Sequence, residues 1–185
     1  DVDVGDSLTY SATLGDGSAL PAWLSFDAAT QTFTGTPLNG DVGSISIQIT
    51  ATDAAGVAIS DSFTIAVANT NDAPTAIALS ANVVDENIAG GIIGTLSSSD
   101  EDVGDSVTYT LSGSHAEYFE VINDQLKLKD GINANYEAYE TLTVTVKATD
   151  SGGLTTSQTF SINVNDVNDA PSAINLSANT IQNGL

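Results

Sequence analysis

Cysteine and methionine are absent from the 185 residues, and histidine and tryptophan occur once each. Without cysteine there are no disulfides and no thiolate metal sites. With His115 as the single imidazole, zinc and iron lack their usual ligands, and no triad context surrounds that histidine. Phosphate-cradling glycine motifs are missing as well. Basic side chains number 3 against 24 acidic ones, a formal net charge of −21. A chain so charged repels nucleic acid and anionic membrane, and its own repulsion must be screened or neutralised by cations. No run approaches the roughly 18 apolar residues of a membrane span, and the opening residues have neither a charged n-region nor an apolar h-region. A soluble chain without membrane insertion is expected.

What is present is repetition. "NDAPTAIALSAN", Asn71 to Asn82, returns as "NDAPSAINLSAN" at Asn168 to Asn179, 97 residues later, and takes two of the four prolines with it. "DVGDSLTY" from Asp3 returns as "DVGDSVTY" from Asp102, "ATD" ending at Asp53 returns ending at Asp150, and "FTIAVANTNDAP" from Phe63 returns as "FSINVNDVNDAP" from Phe160. The chain therefore holds nearly two units of about a hundred residues. Each reads as short strands: "SLTYSATL", "SISIQITATD" and "SFTIAVA", then "SVTYTLSG", "YFEVIND", "LTVTVKATD" and "TFSINVND", alternate β-formers with small polar residues at period two. Asn39-Gly40 is a hairpin signal, and "DAAG" and "DSGG" mark loops. The expected fold is all-β: two tandem immunoglobulin-like Greek-key β-sandwich domains. Pro74 and Pro171 stiffen the linkers, so the domains are expected to stand end to end.

Carboxylates gather where strands end. In extended chain Asp100 and Asp102 leave the same side, and Asp150, Asn71, Asp72 and Glu86 offer further oxygens at the same unit ends. Such oxygens suit calcium, which takes six to eight of them at roughly 2.3–2.6 Å. The same aspartates also have a purely structural reading, as residues that cap turns.

On these residues the second unit resembles a cadherin repeat. "VVDENIAGGIIGTLSSSDED" is similar to that family's first strand, its glutamate segment and its D-x-D; "ANYEAYETLTVTVKATDSGG" is similar to its L-D-Y-E and A-T-D motifs; "VNDVNDAP" is similar to its linker. One departure is Asn135, in place of the aspartate of L-D-Y-E. The first unit resembles a dystroglycan-type cadherin-like domain in "LPAWLSFDAATQTFTGTP", where Trp23 and Phe33 are read as core residues. The resemblance implies calcium at each joint between repeats. At the first joint it names Asn71, Asp72, Asp100, Asp102 and Asp150, with the upstream half weakened because Leu38 and Gly40 stand where Asn135 and Glu137 stand in the second unit. At the second it names Glu86, Asn135, Glu137, Asp166, Asn168 and Asp169; Asp1, Asp3 and Asp53 are the first unit's counterparts of the D-x-D and A-T-D aspartates. Tandem arrays of both modules imply a calcium-stiffened extender in a large bacterial surface adhesin, extracellular and without catalysis.

The expected domains are 1–70, lacking its first strand, then 71–168, then 169–185, a linker and first strand. That tail, 172–185, either pairs head to tail with the incomplete first domain of another copy or frays. Besides neighbouring repeats, expected partners include a glycan or cell-surface ligand. The rival function is a glycan- or protein-ligand-binding module using Tyr118, Phe119, Tyr136 and Tyr139.

Overall fold

The computed structural model describes residues 7–171 and 173. Among them the regular structure is β-strand apart from two single 3-10 turns, Asn39–Asp41 and Ala116–Tyr118. The described chain divides into a unit that runs to Asp72 and includes Glu101–Gly104, and a second that runs from Ala73 to Asp100 and resumes at Asp105. Asp1, Asp3 and nearly all of the 172–185 tail lie outside the described residues.

In the first unit β1 (Thr9–Leu14), β4 (Gly43–Thr52) and β5 (Ala58–Val67) form an antiparallel sheet with β4 in the middle. β2 (Leu24–Asp27) and β3 (Thr32–Gly35) form a separate hairpin. Its turn is held by Asp27, whose carboxylate accepts the N–H groups of Ala29 and Thr30 at 2.8 and 3.2 Å. Phe33 bridges the two parts, packing on Phe26 at 4.8 Å and edge-on against Phe63 of β5 at 5.7 Å. Among this unit's described residues the buried apolar ones are Leu24 and Ile47. Trp23 and Phe33 are only half-buried, contrary to the expectation that both are core. The indole lies across Gly35, where a Cβ would meet the Trp23 carbonyl oxygen at 2.6 Å. Asn39-Gly40 is not a hairpin turn: Asp41 accepts the Leu38 N–H at 2.9 Å, and the chain makes a 3-10 turn.

The second unit is a closed two-layer sandwich. One sheet runs β10 (Phe119–Ile122), β11 (Gln125–Leu128), β8 (Ile92–Ser99), β6 (Ala76–Leu79). The other runs β7 (Val83–Asp85), β13 (Thr155–Asn165), β12 (Thr141–Thr149), β9 (Thr108–Ser112). The opening strand is thus split between layers: β6 pairs antiparallel with β8, and β7 pairs parallel with β13. The crossing is tight, because a Cβ on Gly94 of β8 would meet Ala81 N and O at 2.8 Å. Alternate residues of both layers fill the interior, with Leu126, Leu128, Val144, Val146 and Ile162 fully enclosed beside Ile93, Leu96, Phe119 and Leu142. Period-two alternation with one face inward produces this core. The arrangement is the Greek-key sandwich of immunoglobulin-like domains.

Strand for strand, β1, β4 and β5 answer to β9, β12 and β13. Thr9 faces Thr52 and Tyr10 faces Ala51 in one unit; Thr108 faces Thr149 and Tyr109 faces Ala148 in the other.

Candidate metal centres

Among the described residues two groups of carboxylates come together, both within the second unit. In the first, carboxylate oxygens of Asp100, Asp105 and Asp150 lie within 4.8 Å of one another. Asp100 follows β8, Asp105 precedes β9, and Asp150 follows β12, so three strand ends deliver one group. Asp150 is buried and shapes its own turn, accepting the Leu154 N–H at 2.8 Å on Oδ1. Asp53 does the same in the first unit, accepting the Val57 N–H at 2.7 Å. Asp105 Oδ1 accepts the Ser151 hydroxyl and, at 2.8 Å, the Ser106 N–H. Those donors, the hydroxyl foremost, hold its carboxyl below the usual range against the opposing effect of burial. Its other oxygen, Oδ2, is buried and has no hydrogen-bond partner. Asp105 is not among the residues singled out from the sequence.

The second group joins Glu86, Glu137 and Asp166, again within 4.8 Å. Glu86, after β7, is 1% exposed. Its Oε2 accepts the Tyr136 N–H and its Oε1 the Val167 N–H, each at 2.8 Å. These two donors, Tyr136 first, keep its carboxyl ionised to lower pH than usual despite burial. Glu137 and Asp166 are exposed. Asn135 spends its Oδ1 on the Ala138 N–H at 2.8 Å, and Asp169 accepts from Asn87 Nδ2 at 2.9 Å.

Asp72 and Asp102 meet in the first unit, where Asp102 Oδ2 accepts the Asp72 N–H at 2.7 Å and its Oδ1 accepts from Asn69 at 2.8 Å. Asn39 Nδ2 donates to both Asp72, at 2.6 Å, and Glu101, at 2.9 Å. The tags repeat in detail: Asn71 donates to the Asp72 carbonyl and Asn168 to the Asp169 carbonyl, both at 3.3 Å.

Both groups are built of hard oxygens without imidazole or thiolate, and like-charged carboxylates this close repel unless a cation or proton intervenes. With Oδ2 of Asp105 buried and unpartnered, the residues present fit a calcium-sized ion. Of the aromatic candidates, Phe119 is buried in the core, Tyr118 and Tyr136 are half-buried and Tyr139 is exposed. His115 is half-buried: it accepts the Thr143 N–H at 2.9 Å and packs edge-on against Tyr139 at 4.9 Å. No helix among the described residues is long and apolar enough to cross a membrane.

A family model described as "Putative Ig domain" matches residues 1–68. No curated protein matches the sequence. Among solved structures, the protocadherin gammaB7 EC3-6 cis-dimer aligns at TM-score 0.65 and 25% identity over 88% of this chain and 41% of that one. The protocadherin gammaB4 extracellular domain aligns at TM-score 0.70 and 23% identity over 88% of this chain and 27% of that one. Human protocadherin-24 EC1-2 aligns at TM-score 0.62 and 20% identity, covering 88% and 84%. The chain thus spans less than half the length of the first two. Its fold is the immunoglobulin-like sandwich of cadherin domains.

Proposed function

We propose that the chain is a calcium-binding, calcium-stiffened extender segment of a large bacterial cell-surface adhesin. The observation that carries this reading is the convergence of Asp100, Asp105 and Asp150 from three strand ends, with one buried carboxylate oxygen of Asp105 left without a partner. These three residues would hold one ion, and Glu86, Glu137 and Asp166 another, where the cadherin resemblance also implies Asn135 and, from the linker, Asn168 and Asp169 as ligands. Calcium would supply the positive charge that a chain of net −21 lacks.

The protein's own residues do the positioning. The Tyr136 and Val167 N–H groups fix the Glu86 carboxylate, and Ser151 and Ser106 fix that of Asp105. Ligands fixed in this way lose little entropy on binding. An ion held by several loop ends ties those loops together, which is the physical basis for a stiffened segment. A ligand at about a hundredfold over its Kd adds roughly 2.7 kcal/mol to native stability. The array role, the extracellular location and a non-catalytic role are parts of this proposal and rest on the cadherin resemblance.

Calorimetric titration of the full chain with calcium, read for stoichiometry, tests the reading. Saturable binding, weakened in Asp150→Asn and in Glu137→Gln independently, supports it. No heat above the signal of magnesium or of ionic strength alone would sink it.

A further inference from the structure

Asn39 is the single asparagine among the described residues that glycine follows; the chain's other Asn-Gly pair, Asn183-Gly184, lies outside them. This pairing is the one most open to self-attack, because glycine has no side chain to shield its backbone nitrogen from the neighbouring amide carbon. A Cβ placed on Gly40 would meet no described atom within 4 Å. Two features nevertheless hold Asn39 unreacted. Its Nδ2 donates to Asp72 Oδ2 at 2.6 Å and to Glu101 Oε2 at 2.9 Å, all three residues belonging to the first unit. Hydrogen bonds to ionised acceptors are the stronger kind, and the side chain must give up one or both to bring Cγ onto the Gly40 nitrogen. The backbone is the second restraint.

Asn39–Asp41 is a 3-10 turn in which the Asp41 N–H donates to the Leu38 carbonyl at 2.8 Å and the Val42 N–H to the Asn39 carbonyl at 3.3 Å, while the Leu38 N–H donates to the Asp41 carboxylate at 2.9 Å. Helical torsions keep the following nitrogen out of line with Cγ, so the turn must open before a ring can close. A single 3-10 turn is short and opens locally at low cost. We propose that Asn39 is a latent modification site, guarded by Asp72 and Glu101 and converted to aspartate or isoaspartate when they release it.

The step needs only solvent water. The Gly40 nitrogen gives its proton to water and bonds to Cγ of Asn39; the Cγ–Nδ2 bond breaks, and the nitrogen takes a proton back from water and leaves as ammonia. The cyclic imide then takes up water. Opening at one carbonyl yields aspartate, and opening at the other yields isoaspartate, whose backbone runs through the former side chain. Neither product can restore the clamp: a carboxylate replaces the double donor beside Asp72 and Glu101, and like charges at such distances repel. Conversion is therefore one-way, and it releases the 38–41 turn from Asp72 and Glu101. The inference does not depend on the calcium reading.

The test ages the full chain in calcium-free buffer with and without urea, and peptide mapping reads the mass gain and the isoaspartate at residue 39. Urea-unfolded chain should convert at the rate of a free Asn-Gly peptide, and the folded parent about tenfold or more slowly. Glu101→Ala removes one acceptor and should convert about tenfold faster than the folded parent, with circular dichroism unchanged. Asn39→Asp installs the product outright and gives a second reading that stands if Glu101→Ala fails to fold: hydrogen exchange at the Asp41 and Val42 amides should speed up by about tenfold. One rate for folded and urea-unfolded chain overturns the proposal. So do equal rates in the parent and a folded Glu101→Ala, or unaltered exchange at Asp41 and Val42 in Asn39→Asp.

Discussion

Glu86 and Val167 are 81 positions apart, and a 2.8 Å hydrogen bond runs from the Val167 N–H to the Glu86 carboxylate. Through it the segment after β7 holds the segment after β13. Tyr136 donates to the other oxygen of the same carboxylate, so one side chain fastens two loops.

Acid should loosen this fastening. The folded value of Glu86 lies below the ordinary 4.5, so the unfolded chain takes up its proton first as pH falls. Its contribution is fully present above that ordinary value and disappears as pH drops through the folded one. In calcium-free buffer Glu86→Gln should therefore melt lower than the parent near neutrality, and the gap should close on acidification. Thermal melts from pH 7 to about pH 3 read this directly; a constant gap contradicts it.

Asp105→Asn should reduce calcium affinity by about tenfold or more, since affinity at oxygen sites follows the charge count of the ligands. The melting temperature in chelator should change much less than the calcium-dependent rise. Calcium-titrated melts separate the two effects.

At Gly94 any side chain meets the Ala81 backbone at 2.8 Å. Backbone gives way less readily than a side-chain tip, so Gly94→Ala should cost about 1–3 kcal/mol. Urea unfolding of the second unit's transition measures it.

The two units should respond differently to truncation of aliphatic residues. Leu126 is fully buried, and Leu126→Ala should destabilise by about 2–5 kcal/mol. Ile59 is 77% exposed, and Ile59→Ala should fall within about 0.5 kcal/mol. Both are read from the same denaturant curves.

With a net charge of −21, monovalent salt in the absence of calcium should raise the melting temperature steadily, because it screens self-repulsion. Melts across a sodium chloride series check this; a flat response contradicts it.

Period two in "LTVTVKATD" placed Leu142, Val144, Val146 and Ala148 on one face, and those four are inside. Strand content and the repeat were thus legible, because a half-buried strand writes its burial into alternate letters. Other features depended on distant partners. Asn39-Gly40 looked like a hairpin, but neither residue takes the positive φ that such a turn needs, and Asp41 captures the Leu38 N–H instead. The D-x-D was read as extended chain, yet residues 101–104 bend and turn. That turn is why Asp105, outside the motif, joins Asp100 and Asp150, and nothing in the local spelling marks it. The half-exposure of Trp23 likewise depends on what covers the hairpin, which its own composition does not specify.

The parallel pairing of β7 with β13 has a mechanical consequence. Tension along the chain would enter the second unit ahead of β7 and leave it beyond β13, drawing two strands of the same direction past each other. The ladder Val83–Asn163, Val84–Val164 and Asp85–Asn165 is then loaded in shear. Its hydrogen bonds share the force and must fail together rather than one after another. The Asn165 amide on Asp85 reinforces the last ladder pair, and the Val167 N–H on Glu86 extends the sheared region past it. A domain fastened in this way resists pulling along its length far better than peeling from one end.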